Sequence, residues 1–310
     1  MPPYRVVFMG TPEFAVPALD ALARTEDVTL VVTNPDRPSG RGRALAAPPV
    51  KREAQRLGIP VFQPEKARDP GSVARIAGER PGLIVVVAYG QILPSSILDI
   101  PEYGCINVHA SLLPRYRGAA PINWAIARGE TVTGVTIMRM DPGMDTGPML
   151  HVRELAIGED DTAETMFPKL SSLGAQALVE ALGKLREGTL TETPQDGNLA
   201  TYAPMIKKEH GRIDWGKSAR EVRDLVRGMT PWPSAFTDHD GKTLKILAAS
   251  VREGRGRPGE ILSVDRDGIV VACGEEALLL DKVQPEGGRA MSSREYAQGR
   301  RVRKGDRLSP

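Results

Sequence analysis

Cysteine is nearly absent. The 310 residues hold only Cys105 and Cys273, far apart and without metal-ligand spacing. A disulfide-stapled scaffold is therefore implausible, no metal is expected, and a reducing compartment fits. No stretch reaches the ~18 unbroken apolar residues of a membrane-spanning helix. The opening MPPYRVVFMG has one basic residue and then a short strand-like run, without the longer apolar stretch of a secretory signal. Cytoplasmic residence with no membrane partner is the expectation. There is no internal repeat, and charge bias is slight. The net charge is +2, divided as −3 over residues 1–205 and +5 over residues 206–310. A solvated surface produces such a difference unaided, so contact with nucleic acid has to be argued from local clusters. Glycine is scarce where a dinucleotide site would need it. Gly10-Thr11-Pro12-Glu13-Phe14 has one glycine instead of three, with an acidic residue where phosphate would want bare N–H groups. A nicotinamide enzyme is a weak alternative.

What is present is an ordinary globular composition, 41% hydrophobic and 26% charged, at a length that favours two domains. Compact apolar runs at residues 4–9, 28–33, 83–88 and 105–108 alternate with helical stretches at 12–22, 51–57 and 72–79. That alternation predicts an α/β fold with a parallel sheet covered on both faces. Strands at 133–140 and 149–155 and a helix over 162–186 follow. Residues 34–50, rich in Pro, Gly and Arg, read as a long mobile loop, and 190–202 as a linker. The back half changes character. One helix, at 219–227, precedes short strands at 235–238, 244–249, 260–264, 269–272 and 277–283, with Asp240-Gly241 and Asp267-Gly268 as hairpin turns. A closed or partly closed barrel of five or six strands fits this spacing. Residues 300–310, polar and basic, read as a mobile tail.

Two segments carry chemistry. In Cys105-Ile106-Asn107-Val108-His109, strand alternation puts Asn107 and His109 on one face at the carboxyl end, where open parallel sheets bind ligands. An amide can hydrogen-bond a developing oxyanion, and an imidazole exchanges protons near neutral pH, so the pair suits acyl transfer. A buried Asn and His satisfied by backbone is the competing reading. The second segment, Met140-Asp-Pro-Gly-Met-Asp-Thr-Gly-Pro148, is a stiff loop in which Asp145 could support an imidazolium. An ordinary Asx-turn is the alternative there.

Taken together, N-V-H-A-S-L-L-P-R-Y-R-G-A-A-P and D-P-G-M-D-T-G-P closely resemble the folate-dependent formyltransferase family. The resemblance implies Asn107, His109 and Asp145 as catalytic residues. It also implies a 10-formyltetrahydrofolate site lined by Tyr89, Gly90, Gln91, Ile92 and Leu93, by Ser111, Leu112, Leu113 and Pro114, and by Asp141. Further matches at residues 8–15, 35–43, 117–126, 207–215 and 229–236 extend the likeness over nearly the whole chain. They point to the branch that formylates initiator methionyl-tRNA for translation initiation. The domains implied are a Rossmann-like formyltransferase domain over 1–189, a linker over 190–205, and an OB-like tRNA-binding domain over 206–310, in a monomer.

The loop of residues 34–56 has its own physical logic. Arg37, Arg41, Arg43, Lys51, Arg52 and Arg56 face only Asp36 and Glu53, a local charge of +4. Guanidiniums can grip phosphates or stack on a splayed base. With the resemblance, Arg37, Arg41 and Arg43 are expected to contact tRNA, Arg41 foremost, together with Lys207 and Lys208. A formyltetrahydrofolate hydrolase and a sugar N-formyltransferase are the enzymatic alternatives. A non-catalytic RNA-binding protein is the alternative from another class.

Overall fold

A computed structural model of the chain describes residues 2–39 and 44–309. They form two compact units. The first groups residues up to Gly118 with Thr133–Leu155 and Phe167–Tyr202; the second groups Ala119–Val132, Ala156–Met166 and the residues from Ala203 onward. Residues 190–202, expected as a linker, thus group with the first unit.

The strands up to residue 156 are β1 (Arg5–Gly10), β2 (Asp27–Val32), β3 (Arg37–Ser39), β4 (Ala44–Ala46), β5 (Val61–Phe62), β6 (Leu83–Val87), β7 (Cys105–His109), β8 (Val132–Arg139) and β9 (Met149–Ala156). The helices up to residue 187 are α1 (Val16–Thr25), α2 (Pro49–Arg56), α3 (Pro70–Gly78), α4 (Ser95–Leu98), α5 (Pro121–Ala127) and α6 (Ala163–Glu187). Seven strands make one sheet in the order β5-β2-β1-β6-β7-β8-β9. The pairs from β5 to β7 are parallel, and β8 runs antiparallel to β7. The central strands are the ones with unbroken apolar sequence, because both of their faces are covered. All five residues of β6 (LIVVV) are buried, as are the last five of β1. Ile106 and Val108 point away from the Asn107 face, and Val108 packs so closely on α6 that only a glycine, Gly174, fits opposite it.

The second unit adds α7 (Ala219–Gly228), β10 (Ala235–His239), β11 (Lys242–Arg252), β12 (Ile261–Val264), β13 (Ile269–Ala272), β14 (Ala277–Pro285), β15 (Met291–Ser292) and α8 (Ser293–Arg300). The path is β10-β11-β14-β13-β12, entirely antiparallel, with β15 beside β14. Its core gathers Ile213, Trp215, Val222, Leu244, Ile246, Val271 and Leu280.

Three expectations change. The loop over 34–50 contains a short hairpin, β3 with β4, and Lys51 is tied to Asp36 at 2.7 Å. Helices α5 and α8 were not anticipated. Helix α5 starts on Pro121, whose fixed φ and missing N–H suit a first turn; α8 starts on a capping box of Ser292 with Glu295. The basic tail is not free: Val302 and Leu308 lie in the second core, Ser309 pairs with Asp238 and Arg307 with Glu260. Asp238 belongs to β10 and Glu260 precedes β12, so the last residues bridge the two edges of the strand path and close the barrel. The apolar Val302 and Leu308 explain the difference, since burying them offsets the cost of ordering a polar backbone.

Candidate active site

Strand β7 sets the site. Its register against β6 aligns Asn107 with Val86, and its register against β8 aligns Asn107 with Met138 and His109 with Thr136. Asn107 and His109 therefore share a face at the carboxyl end of a central strand. The His109 ring is buried, with 5% of the residue exposed. Its Nε2 lies 2.9 Å from the main-chain oxygen of Tyr116. A carbonyl only accepts, so Nε2 carries a proton and, in the neutral ring, Nδ1 holds the lone pair. Nδ1 points at Asp145 Oδ2, 3.6 Å away. That separation exceeds a hydrogen bond, so the imidazole and carboxylate face each other across a small gap. The Asn107 side chain makes no hydrogen bond to a described residue, which leaves its amide available to a ligand.

Asp145 is held from two sides. Oδ2 accepts from the Gly118 N–H at 2.8 Å, and its main-chain oxygen accepts from Gln195 Nε2 at 2.8 Å. Its backbone is left-handed, with φ +54°. The stiffness of the loop has a further source at Gly147, where a Cβ would come within 1.9 Å of the Arg139 carbonyl. Asp141, at the other end of the loop, accepts from Gly143 N–H at 3.0 Å and from Thr146 Oγ1 at 2.7 Å. It makes the Asx-turn that its sequence allowed.

The residues expected to line a folate site divide by what their side chains do. Tyr89 is buried in the core beneath the sheet, and burial pushes its phenol up to about 12. Its main-chain oxygen accepts from Thr11 Oγ1 and Asn34 Nδ2. Thus the Gly10–Phe14 loop braces this turn. Gln91 is committed as well: Oε1 accepts from Ala67 N–H at 2.8 Å, and Nε2 donates to Asn34 Oδ1 at 2.8 Å. Ile92, in contrast, is 89% exposed, and the backbone N–H groups of residues 90–93 have no partner among the described residues. On the β7 side Ser111 and Leu113 are buried. Ser111 Oγ donates to the Arg115 carbonyl at 2.6 Å, and Thr136 Oγ1 ties Ser111 to Leu113. Leu112 and Pro114 are the partly exposed members. The residues fit a flat heterocycle with alternating donors and acceptors: free backbone N–H groups on one wall, apolar side chains on both.

The structure brings Asn107, His109 and Asp145 together at the carboxyl end of β7, with residues 89–93 following the neighbouring strand β6 and residues 111–114 following β7 itself. Of the proposed tRNA contacts, Arg37 is exposed on β3, and Arg41 and Arg43 lie outside the described residues. Lys207 and Lys208 are exposed in the second unit, Lys207 Nζ lying 3.8 Å from Glu209. Sequence reasoning missed Thr136, Arg117, Gln195 and Thr201. Thr136 carried a signal as a polar residue within an apolar strand, and Arg117 as a member of the R-Y-R-G-A-A-P motif; Gln195 and Thr201 carried none.

Comparison with known proteins decides the family. A model described as "Formyl transferase" matches residues 4–182, and one described as "Formyl transferase, C-terminal domain" matches residues 205–301. The chain belongs to the formyl transferase family. Curated relatives carry the name methionyl-tRNA formyltransferase, two of them from Geobacter species. That from Geobacter metallireducens is 54% identical over 98% of this chain and 98% of its own length. That from Geobacter sulfurreducens is 53% identical over 98% and 96%. A solved N-formyltransferase from Helicobacter canadensis, in complex with folinic acid and dTDP-3-aminofucose, shares the fold, with a TM-score of 0.66 at 16% identity over 89% of this chain and 99% of that one. Within this formyl transferase no helix of the described residues is long and apolar enough to cross a membrane, and no described cluster of His, Cys, Asp and Glu could hold a metal ion.

Proposed function

We propose that this formyl transferase passes the formyl group of 10-formyltetrahydrofolate to the α-amine of methionine on the initiator tRNA. The observation that carries the reading is the His109 imidazole facing Asp145 across 3.6 Å, beside an unpartnered Asn107 amide at a sheet's carboxyl end. The names of relatives alike over nearly the full length support the choice of acceptor.

Bound between the two walls, the folate supplies an activated formyl carbon on its N10. The backbone N–H groups of Gly90, Gln91, Ile92 and Leu93 would hold its heterocycle, with Ile92, Leu112 and Pro114 against its faces. The Asn107 amide donates to the oxygen on which negative charge develops as the amine attacks. The Nδ1 lone pair of His109 takes the proton that the amine gives up and returns it to the departing nitrogen, so atoms and charge balance over the cycle. Asp145 stabilises the imidazolium while it lasts. The Tyr116 carbonyl keeps the ring from rotating.

Phosphate contact falls to the arginine loop, Arg37, Arg41 and Arg43, and to Lys207 and Lys208 in the domain over 206–310. Of the loop's cations, Lys51 is already paired with Asp36, and Arg56 with Asp20 and Glu53. The tRNA role therefore concentrates on the arginines ahead of them. The enzyme works in the cytoplasm as a monomer, and light scattering tests the monomer.

The deciding assay supplies labelled 10-formyltetrahydrofolate with charged initiator or elongator methionine tRNA. Label on the initiator alone is the expected result; free formate as the sole product would replace the reading with a hydrolase. Asn107→Ala should lower turnover about 100- to 1,000-fold, the usual loss for one oxyanion donor, with tRNA binding retained. A near-normal rate would remove Asn107 from its role.

A further inference from the structure

The segment 195–202 lies outside every motif that carries chemistry, yet it touches both loops of the site. Gln195 Nε2 donates to the main-chain oxygens of Asp145, at 2.8 Å, and Gly147, at 2.7 Å. Its Oε1 accepts from Arg117, at 3.1 Å from Nε and 2.7 Å from Nη2. Donors on one side and two carbonyls on the other leave a single orientation for the amide. Arg117 is buried, so this contact is shielded from water. Six residues on, Thr201 Oγ1 accepts from the Tyr116 N–H at 2.8 Å, and the Thr201 carbonyl accepts from the Arg117 N–H at 2.8 Å. Tyr116 supplies the carbonyl that fixes the His109 ring. One short stretch of chain thus holds the imidazole's anchor at one end and the carboxylate's backbone at the other.

We propose that Gln195 is a positioning residue for the catalytic step: its amide, oriented by Arg117, fixes the backbone of Asp145 and so sets the gap between the carboxylate and His109 Nδ1. This rests on the assignment of Asp145 and His109 made above. One amide nitrogen thus ties the main-chain oxygens of both Asp145 and Gly147. Asp145 is in the left-handed region, where a non-glycine residue persists only if its surroundings hold it there. The Gln195 amide provides that hold. Losing it lets the carboxylate drift from the imidazole, and displacements of about 1 Å cost on the order of a hundredfold in rate.

Two substitutions dissect the contact. Gln195→Met keeps the volume and removes both donors. Gln195→Glu keeps an acceptor for Arg117, now charged, and turns an oxygen on the two carbonyls. Both should lower kcat by about ten- to a hundredfold with KM for both substrates held. Thermal midpoints separate this from unfolding, because Gln195→Glu retains its tie to Arg117. The sharper readout is a cycle with Asp145→Asn. If Gln195 works through Asp145, Gln195→Met costs little more once the carboxylate is gone. Wild-type kcat in a folded Gln195→Glu protein overturns the proposal, and so does an equal loss from Gln195→Met in both backgrounds. If instead Asp145→Asn alone leaves kcat unchanged, the assignment of the site has failed, and the positioning role falls with it.

Discussion

At the scale of single residues, the placement of protons is the main result. His109 donates through Nε2 to a main-chain oxygen, so its neutral form should be the Nε2–H tautomer. Nitrogen-15 NMR of the histidine rings checks this, and an Nδ1–H signal for His109 would contradict the relay. The thiols form a second case. Burial pushes both Cys105 and Cys273 up to about 12 from an ordinary value near 9. Neither should react with a thiol reagent at pH 8 in the native protein, and both should react in denaturant. Above about pH 9 the unfolded chain ionises its thiols while the folded chain keeps them protonated, so the unfolded state binds fewer protons and stability falls as pH rises towards 12. Melts between pH 8 and 11 should show the decline, reduced in Cys273→Ala. At this scale the sequence was legible wherever strand alternation applied, since Asn107 and His109 share a face for that reason alone. It was silent on Gln195 and Thr201, whose roles depend on which carbonyl lies opposite. No periodicity encodes that.

Elements follow their local chemistry where the hydrophobic pattern is continuous. Strands β1, β6 and β7 are apolar runs because both faces are covered, and the sequence announced them. Helix α5 escaped notice because its seven residues are too few for a helical period to stand out. The pairing of β3 with β4 escaped because a sequence as rich in proline, glycine and arginine as residues 34–50 speaks for a loop. The tail misled through its charge, which masks two anchoring apolar side chains. Leu308 is buried in the second core, so Leu308→Ala should cost about 2–5 kcal/mol in urea denaturation. Deleting the residues after 305 should cost more and promote association, since both barrel edges would then lack a partner. Close approach sets another limit, at Gly147. A methyl there meets the Arg139 backbone, which cannot yield as a side chain could. Gly147→Ala should therefore lower both the melting temperature and kcat, the second because Asp145 is two residues away.

For the molecule as a whole, charge predicts behaviour that no single contact does. If arginines 37, 41 and 43 and lysines 207 and 208 meet phosphates, the affinity for tRNA should fall steeply with salt. Arg41→Ala should weaken binding and flatten that slope by about one ion released. An unchanged slope would remove Arg41 from the interface. The α/β class and the β-rich back half were both legible from the order of apolar runs. The grouping of the units was not, because residues 119–132 and 156–166 look in sequence like parts of the first sheet's connections. Within the second unit α5 packs on α7, and Gly228 lies against Ala127 so closely that a Cβ would come within 2.7 Å of it. That threading has an evolutionary consequence. A single genetic crossover near residue 205 between diverged homologues would leave α5 from one parent against α7 from the other. Viable chimeras should therefore come from exchanges that carry 119–132 and 156–166 along with the back half, and a library of random crossovers should be depleted between residues 133 and 203.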